Sequence, residues 1–416
     1  MEKSIREAVC VRLREVGFSL IQSRESFARS GADIVAWAGN ADGELVPWAA
    51  VELEAEKSKR PEMALPELVR SRDLRGTRDH YVVADGEWFR ADHDVRSLKK
   101  IDGPTAPPYG SGGVVVDEDV AASLILDQMA RDANVRRAWA DGVSVLGDPS
   151  SWPAAGGVMV PGCGVVPVRR DVLWQAQRKA AYESLRRMPF SDQSCPVVAR
   201  AAAELAVGMH PRTVLDPFCG AGSFLWAVMD KIQGSAVQFT GIDLNHRIAD
   251  IAATIKRTAP RPVAIVEGDA FTADLPTVDV VVAAPPLGMR LPSGHVLLGG
   301  STTNDMTVAA VDLAVRHLNP GGRAVLHLGM SFTYQKAAES YRQFLASHYR
   351  IAALISLPGG AITGSAMPSV LLVIDHVTPG ETFVVQLGSD WETQITPGGA
   401  ALAAALAYID DRRMAR

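Results

Sequence analysis

Apolar residues change their spacing several times along the chain, and each change marks a boundary. In residues 1–101, Ile5, Val9, Val11, Leu13 and Val16 predict an amphipathic helix, and Gly17 leads out of it. The extended segments ADIVAW, LVPWAAVELE and HYVVADGEWF follow, the last with a DG turn. This is the pattern of a small α/β domain. Residues 102–117 open with DGPTAPPYGSGG, which lacks apolar periodicity and reads as a linker. Over 118–190 the pattern predicts a helical connector: a helix near 118–139, a turn-rich GDPSSWPAAGG, a short hairpin in GVMVPGCGVVPV and a helix in DVLWQAQRKAAYESLRRM. From 191 to 378 apolar strands alternate with helices (TVLDPF, FTGIDL, PVAIVEGD, VDVVVAAPP, GRAVLHL, AALISLPG, SVLLVIDH), which predicts βαβ units and a mostly parallel sheet. Residues 379–416 predict a strand or two and a closing helix.

Composition narrows the picture. A chain of 416 residues exceeds one ordinary core, so at least two domains are expected. No apolar run approaches the length of a membrane span, and MEKSIREAVC lacks a signal core, so a soluble cytoplasmic protein without a membrane partner is expected. Cys10, Cys163, Cys195 and Cys219 are far apart with no CxxC pair, which argues against a disulfide framework or a metal site. With a net charge of −5, any surface that grips nucleic acid must be local. The candidate is Arg169, Arg170, Arg178, Lys179, Arg186 and Arg187.

The candidate ligand site lies where parallel strands end. Strand TVL runs into Asp216, Pro217, Phe218, Cys219, Gly220, Ala221, Gly222, Ser223 and Phe224, then into a helix. Gly220 and Gly222 permit a tight turn and close approach of backbone to a ligand. Asp243, before Leu244, stands about twenty residues further on, where a carboxylate accepts ribose hydroxyls. Asp269, with Ala270 and Phe271, ends the third strand, placing an acid for an adenine amine and an aromatic ring beside it.

In this order DPFCGAGSF, GIDLN, EGDAF and a fourth strand ending in PP resemble class I S-adenosylmethionine-dependent methyltransferases over roughly 180 residues. The segments FSDQSCPVVARAAAEL, LNPGGR, ISLPGG and PSVLLVID resemble, in particular, the adenine-N6 modification subunit of type I restriction-modification systems. The resemblance implies a seven-stranded Rossmann-like sheet with one reversed strand, S-adenosylmethionine as cofactor, and DNA as substrate in a restriction-modification or phage-defence setting. It also implies assembly, with separate specificity or nuclease subunits or with further copies. DPFCGAGSF alone is as similar to RNA methyltransferases, which leaves RNA as an alternative substrate. A catalytically silent cofactor- or DNA-binding subunit is the second alternative.

Family amino-methyltransferases carry Asn, Asp or Ser, then Pro-Pro and an aromatic, after the fourth strand. The polar side chain and the first proline's carbonyl accept from the target amine, and the aromatic stacks on an extruded base. Here the loop is Ala284, Pro285, Pro286, Leu287 and Gly288, so the side-chain acceptor and the ring are both missing. Asp192, Gln193, Asn304 and Asp305 are candidates for the acceptor. In the first domain, GADIVAW and AAVELE resemble PD-(D/E)xK nucleases: Asp33 and Glu52 match two acids, and Glu7 is a candidate third. Glu54 occupies the lysine's place, with Lys57 or Lys59 as substitutes, so an inactive nuclease-like domain is expected.

Overall fold

The computed structural model describes residues 2–23, 32–54, 60–110, 112–131, 156–160, 163–186, 193–208, 210–232 and 236–414. They divide into two compact units, Met1–Val143 with Ser150–Ala180, and Ser144–Pro149 with Ala181–Arg416.

The first unit opens with the helix Glu2–Glu15, whose Val9 and Leu13 are buried while Val11 is exposed, so the core-facing stripe is narrower than the sequence pattern suggests. Strands β1 (Leu20–Ser23), β2 (Ile34–Gly39), β3 (Leu45–Glu54), β4 (Asp79–Ala84), β5 (Glu87–Ala91) and β6 (Leu98–Ile101) form one sheet in that order. All neighbours are antiparallel except β3 and β4, which the helix Leu65–Arg75 joins as a crossover. Ile34, Ala36, Trp48, Val51, Tyr81 and Val83 close with the first helix into one core.

The proline-rich segment expected to be a linker lies on this sheet. Thr105 donates its backbone N–H to the Tyr81 hydroxyl at 3.2 Å, Gly39 donates to the Gly110 carbonyl at 3.3 Å, and the Tyr109 ring meets Trp48 edge-on at 6.2 Å. Prolines leave few backbone donors to satisfy, so such a strap packs without being a strand. The helix Glu118–Arg131 and the hairpin of β7 (Gly157–Val160) and β8 (Gly164–Pro167) complete the unit; most of the turn-rich patch lies outside the described residues.

The second unit is built on β9 (Thr213–Asp216), β10 (Gln238–Asp243), β11 (Val263–Glu267), β12 (Val278–Ala283), β15 (Leu318–Gly329), β16 (Arg350–Leu357), β17 (Ser369–Asp375) and β18 (Phe383–Gln386). Their spatial order is β11-β10-β9-β12-β15-β17-β16-β18, with β17 antiparallel to both neighbours and every other pairing parallel. This is the expected mostly parallel sheet with one reversed strand, extended to eight strands by β18 from the tail. Buried valines, leucines and alanines of β9, β12, β15 and β17 form its core with the helices Met306–Arg316 and Glu339–His348. At 0% exposure, Arg323 of β15 grips Asp375 of β17 through Nε at 2.6 Å and donates to the Leu205 carbonyl. Breaking such a buried pair strands a charge and costs about 3–5 kcal/mol.

The sequence pattern did not reveal a second hairpin, β13 (Arg290–Val296) and β14 (Thr302–Asp305), between the PP loop and the helix Met306–Arg316. Its strands are mostly exposed, so no apolar alternation announces them.

Candidate active site

The loop after β9 is organised by its own polar atoms. Asp216, fully buried, turns its Oδ1 back to accept the Phe218 N–H at 3.1 Å. Cys219 donates its N–H to the Ile242 carbonyl at 3.0 Å, tying the loop to β10, and Gly222 closes a turn onto the Cys219 carbonyl at 2.7 Å. The two glycines do different work. Gly222 has φ +91°, and a Cβ there would fall 2.2 Å from the Trp226 ring, whose Nε1–H donates to the Ala221 carbonyl. Gly220 has φ +54°, and a Cβ there would meet only Ile248, at 3.9 Å, so the space before the loop is open. Ser223 and Phe224 begin the helix Ser223–Lys231, the serine exposed and the phenylalanine buried, so Phe224 holds the helix down rather than facing a ligand. Pro217 is likewise buried.

Asp243, at the end of β10, accepts the Gly220 N–H on Oδ2 at 2.8 Å and the Asn245 N–H on Oδ1 at 2.9 Å. An ionised carboxylate has about four acceptor positions, so two remain for a ligand's hydroxyls. Burial pushes the Asp243 carboxyl above its ordinary range, and the two amide bonds partly oppose this. Asp216 is pushed up further, by complete burial first and by the nearby Asp243 charge. Leu244 is 72% exposed, an apolar side chain in water beside this acid. Half-buried Asp269 accepts the Phe271 N–H at 2.9 Å. Beneath these acids Ile242, Ala270 and Leu313 form a small apolar floor with Phe218 and Phe271, whose rings lie 5.8 Å apart.

Beyond β12, Ala284 is half-buried, Pro285 buried, and Pro286 and Leu287 half-buried; Gly288, at φ +65°, turns the chain into the β13–β14 hairpin. Buried Asp312 anchors that hairpin by accepting from Leu298 N at 2.8 Å and Arg316 Nε at 2.5 Å and pairing with His295 Nε2 at 2.8 Å. The His295 ring meets Phe271 edge-on at 5.3 Å, so the hairpin reaches the aromatic residue beside Asp269. Two of the candidate acceptors have structural partners. Asn304 donates to the Leu291 carbonyl at 3.1 Å within the hairpin, and Asp305 caps the following helix through Val308 N at 3.1 Å. The backbone carbonyl of Gln193 accepts from Thr363 N, and Asp192 lies outside the described residues.

The 358–368 loop, at the same sheet edge, is fastened by the segment before the first motif. Cys195 donates its N–H to the Ala361 carbonyl at 2.9 Å, and the Tyr182 and Thr363 hydroxyls meet at 2.9 Å. His327 is buried between Ser194 Oγ at 2.7 Å and Ser369 Oγ at 2.8 Å, and burial pushes its pKa down to about 4. A neutral imidazole, with one donor and one acceptor, suits two hydroxyls. None of this was legible in CPVV or HLG taken alone.

Three of the six basic candidates pair with acids. Arg169 pairs with Asp171, Lys179 with Asp119 and Arg186 with Glu183, and Arg178 lies over the Trp174 ring; Arg187 is outside the described residues. In the first unit Asp33 and Glu52 are buried, Asp33 accepting the Leu53 N–H at 3.0 Å, while Glu7 is exposed. Among the described residues no group of three or more His, Cys, Asp or Glu side chains is disposed to hold a metal ion, and Lys57 and Lys59 are outside them. No helix among the described residues is long and apolar enough to cross a membrane.

A single reversed strand, β17, set between β15 and β16, a glycine loop after β9 and acids at the ends of the next two strands define a class I methyltransferase fold. Residues 196–394 match the model of the N-6 DNA methylase family. The fold is shared with a Listeria monocytogenes protein assigned to the class I S-adenosylmethionine-dependent methyltransferases, at a TM-score of 0.51 and 14% identity, covering 70% of this chain and 96% of that one. The type I restriction-modification methyltransferase subunit of Streptococcus thermophilus aligns at a TM-score of 0.47 and 17% identity, covering 57% of each chain. A modification subunit assigned to a type I restriction enzyme of Vibrio vulnificus aligns at 0.48 and 15%, covering 60% of each. This chain thus spans well under two thirds of those two subunits. No curated protein sequence matches it.

Proposed function

We propose that the chain is an S-adenosylmethionine-dependent methyltransferase acting on the adenine N6 amine of DNA, in a restriction-modification or phage-defence setting. The observation that carries this reading is the carboxyl edge of β9, β10 and β11 within the matched family region. There an open glycine turn at Gly220, a carboxylate at Asp243 with acceptor capacity to spare, exposed Leu244 and the Asp269–Phe271 corner fit a nucleoside with a charged tail.

In this reading Gly220 lets the backbone approach the cofactor's amino-acid portion, with Asp216 shaping the loop from below. Asp243 accepts from the ribose hydroxyls, Leu244 covers the adenine face, and Asp269 with Ala270 receives the adenine amine. The cofactor, when bound, supplies a methyl group activated on a sulfonium. Pro285 orients the target amine through its carbonyl, and Pro286 fixes the loop's path. The first unit serves as a nuclease-like DNA-contacting or interaction module, and sequence specificity comes from it or from a separate subunit.

Ala284 and Leu287 favour a second reading, a cofactor-binding subunit that does not transfer methyl groups. Labelled cofactor incubated with unmethylated DNA and with RNA separates these readings. Label in DNA at adenine supports the first, label in RNA alone redirects it to RNA, and cofactor binding without transfer to either supports the second.

A further inference from the structure

One strand away from the PP loop, a second loop carries a serine and a tyrosine. Strands β12 and β15 are parallel neighbours, with Ala283 opposite Leu326, so their following loops leave the sheet side by side. The second loop contains Gly329, Met330 and the short helix Ser331–Tyr334. A Cβ built on Gly329 would lie 3.6 Å from Leu287 Cδ2 and 3.6 Å from Ser331 Oγ. The serine hydroxyl and the leucine of the PP loop therefore face each other across a residue that has no side chain.

Ser331 is half-buried, and its hydroxyl makes no hydrogen bond among the described residues. Positions three apart on one helical turn share a face, which places Tyr334 beside Ser331. Tyr334 is 70% exposed, and among the described residues it is the only aromatic of the large apolar residues exposed on the second unit. The support beneath them is firm. Phe332 is buried between the two, Met330 N donates to the Pro368 carbonyl at 3.2 Å, and Arg342 braces the Phe332 and Gln335 carbonyls.

We infer that Ser331 supplies the hydrogen-bond acceptor that position 284 lacks and Tyr334 the stacking ring that position 287 lacks. This inference rests on the methyltransferase reading. Ser331 Oγ and the Pro285 carbonyl each accept one N–H of the target adenine's amine, holding its lone pair toward the methyl donor. The nitrogen lone pair forms the new N–C bond as the sulfonium C–S bond breaks, leaving the thioether, and the nitrogen gives its extra proton to solvent water. Tyr334 stacks on the extruded base, a contact that tolerates loss of the hydroxyl but not of the ring.

The test uses the full chain, labelled S-adenosylmethionine and unmethylated DNA. Ser331→Ala lowers label incorporation by about tenfold or more, the scale of one hydrogen bond to the reacting group, with cofactor affinity unchanged by calorimetry. Ala284→Ser in that background restores part of the loss. Tyr334→Phe keeps transfer, while Tyr334→Ala loses it together with the quenching of a single-stranded oligonucleotide carrying 2-aminopurine. Thermal midpoints equal to that of the unsubstituted chain show that the variants fold. Unchanged transfer by Ser331→Ala and Tyr334→Ala overturns this inference and leaves the methyltransferase reading intact. No transfer by the unsubstituted chain, with cofactor bound, overturns that reading and this inference with it.

Discussion

The six-stranded and eight-stranded sheets both carry acids that look like site residues, and the two sheets use them differently. Asp33 and Glu52 are buried at β2 and β3, and Asp33 is engaged with the Leu53 backbone N–H of the neighbouring strand. Asp243 also accepts backbone N–H groups, but one of them is Gly220 of a loop whose outer side is open. An acid at a strand end has room for a ligand when the neighbouring turn keeps side chains out of the space ahead. Where the chain continues as strand, the same carboxylate helps to hold the sheet.

The sharpest way to break this contrast is Gly222→Ala. The added methyl collides with the Trp226 ring in a left-handed backbone, so the turn deforms. Calorimetry should show cofactor affinity falling at least about 100-fold, with stability reduced by about 2 kcal/mol or more. Asp243→Asn should follow. An amide cannot accept on both sides, so it loses a loop amide or a ribose hydroxyl, and affinity drops roughly 10- to 100-fold.

Smaller effects come from pH. Because burial raises Asp243, cofactor affinity should fall as the pH is lowered through its raised pKa, since the protonated acid accepts fewer hydroxyls. For stability the sign is opposite. Between the ordinary carboxylate value and the raised value of Asp216, the folded chain binds more protons than the unfolded one, so this acid's contribution to stability falls as pH rises through that window. Asp216→Asn should flatten the slope in urea titrations and raise the midpoint of the free protein at neutral pH. The smallest effect is expected in the other sheet, where Glu52→Gln should leave methyl transfer within about twofold. A larger loss, in a variant with an unchanged thermal midpoint, would tie that sheet to the chemistry.

Much of the second unit was legible because its central strands, β12, β15 and β17, are buried on both faces. Apolar runs such as VVVA in β12 and VLLVI in β17 have little alternative to a strand covered on both faces. DPFCGAG and GID were legible for a related reason: a tight turn restricts residue type at named positions. The β13–β14 hairpin was not, because its residues face water and its anchor, Asp312, stands on the next helix. The proline-rich strap over the first sheet looked like a linker for the same kind of reason, since its contacts are with Gly39, Trp48 and Tyr81, more than twenty residues away.

The sequence by itself determined the alternation of strands and helices, the glycine turn with its two following acids, and the loss of polar and aromatic groups at Ala284 and Leu287. Periodicity and backbone-restricted turns are local properties, carried within a few residues. Tertiary structure alone decided that Gly222 answers to Trp226 while Gly220 faces open space, and that Asn304 and Asp305 hold a hairpin and cap a helix. It also decided that Ser331, forty-four residues downstream of Leu287, stands across Gly329 from it. The register of two parallel strands sets that proximity, and long-range register is absent from any short stretch of sequence.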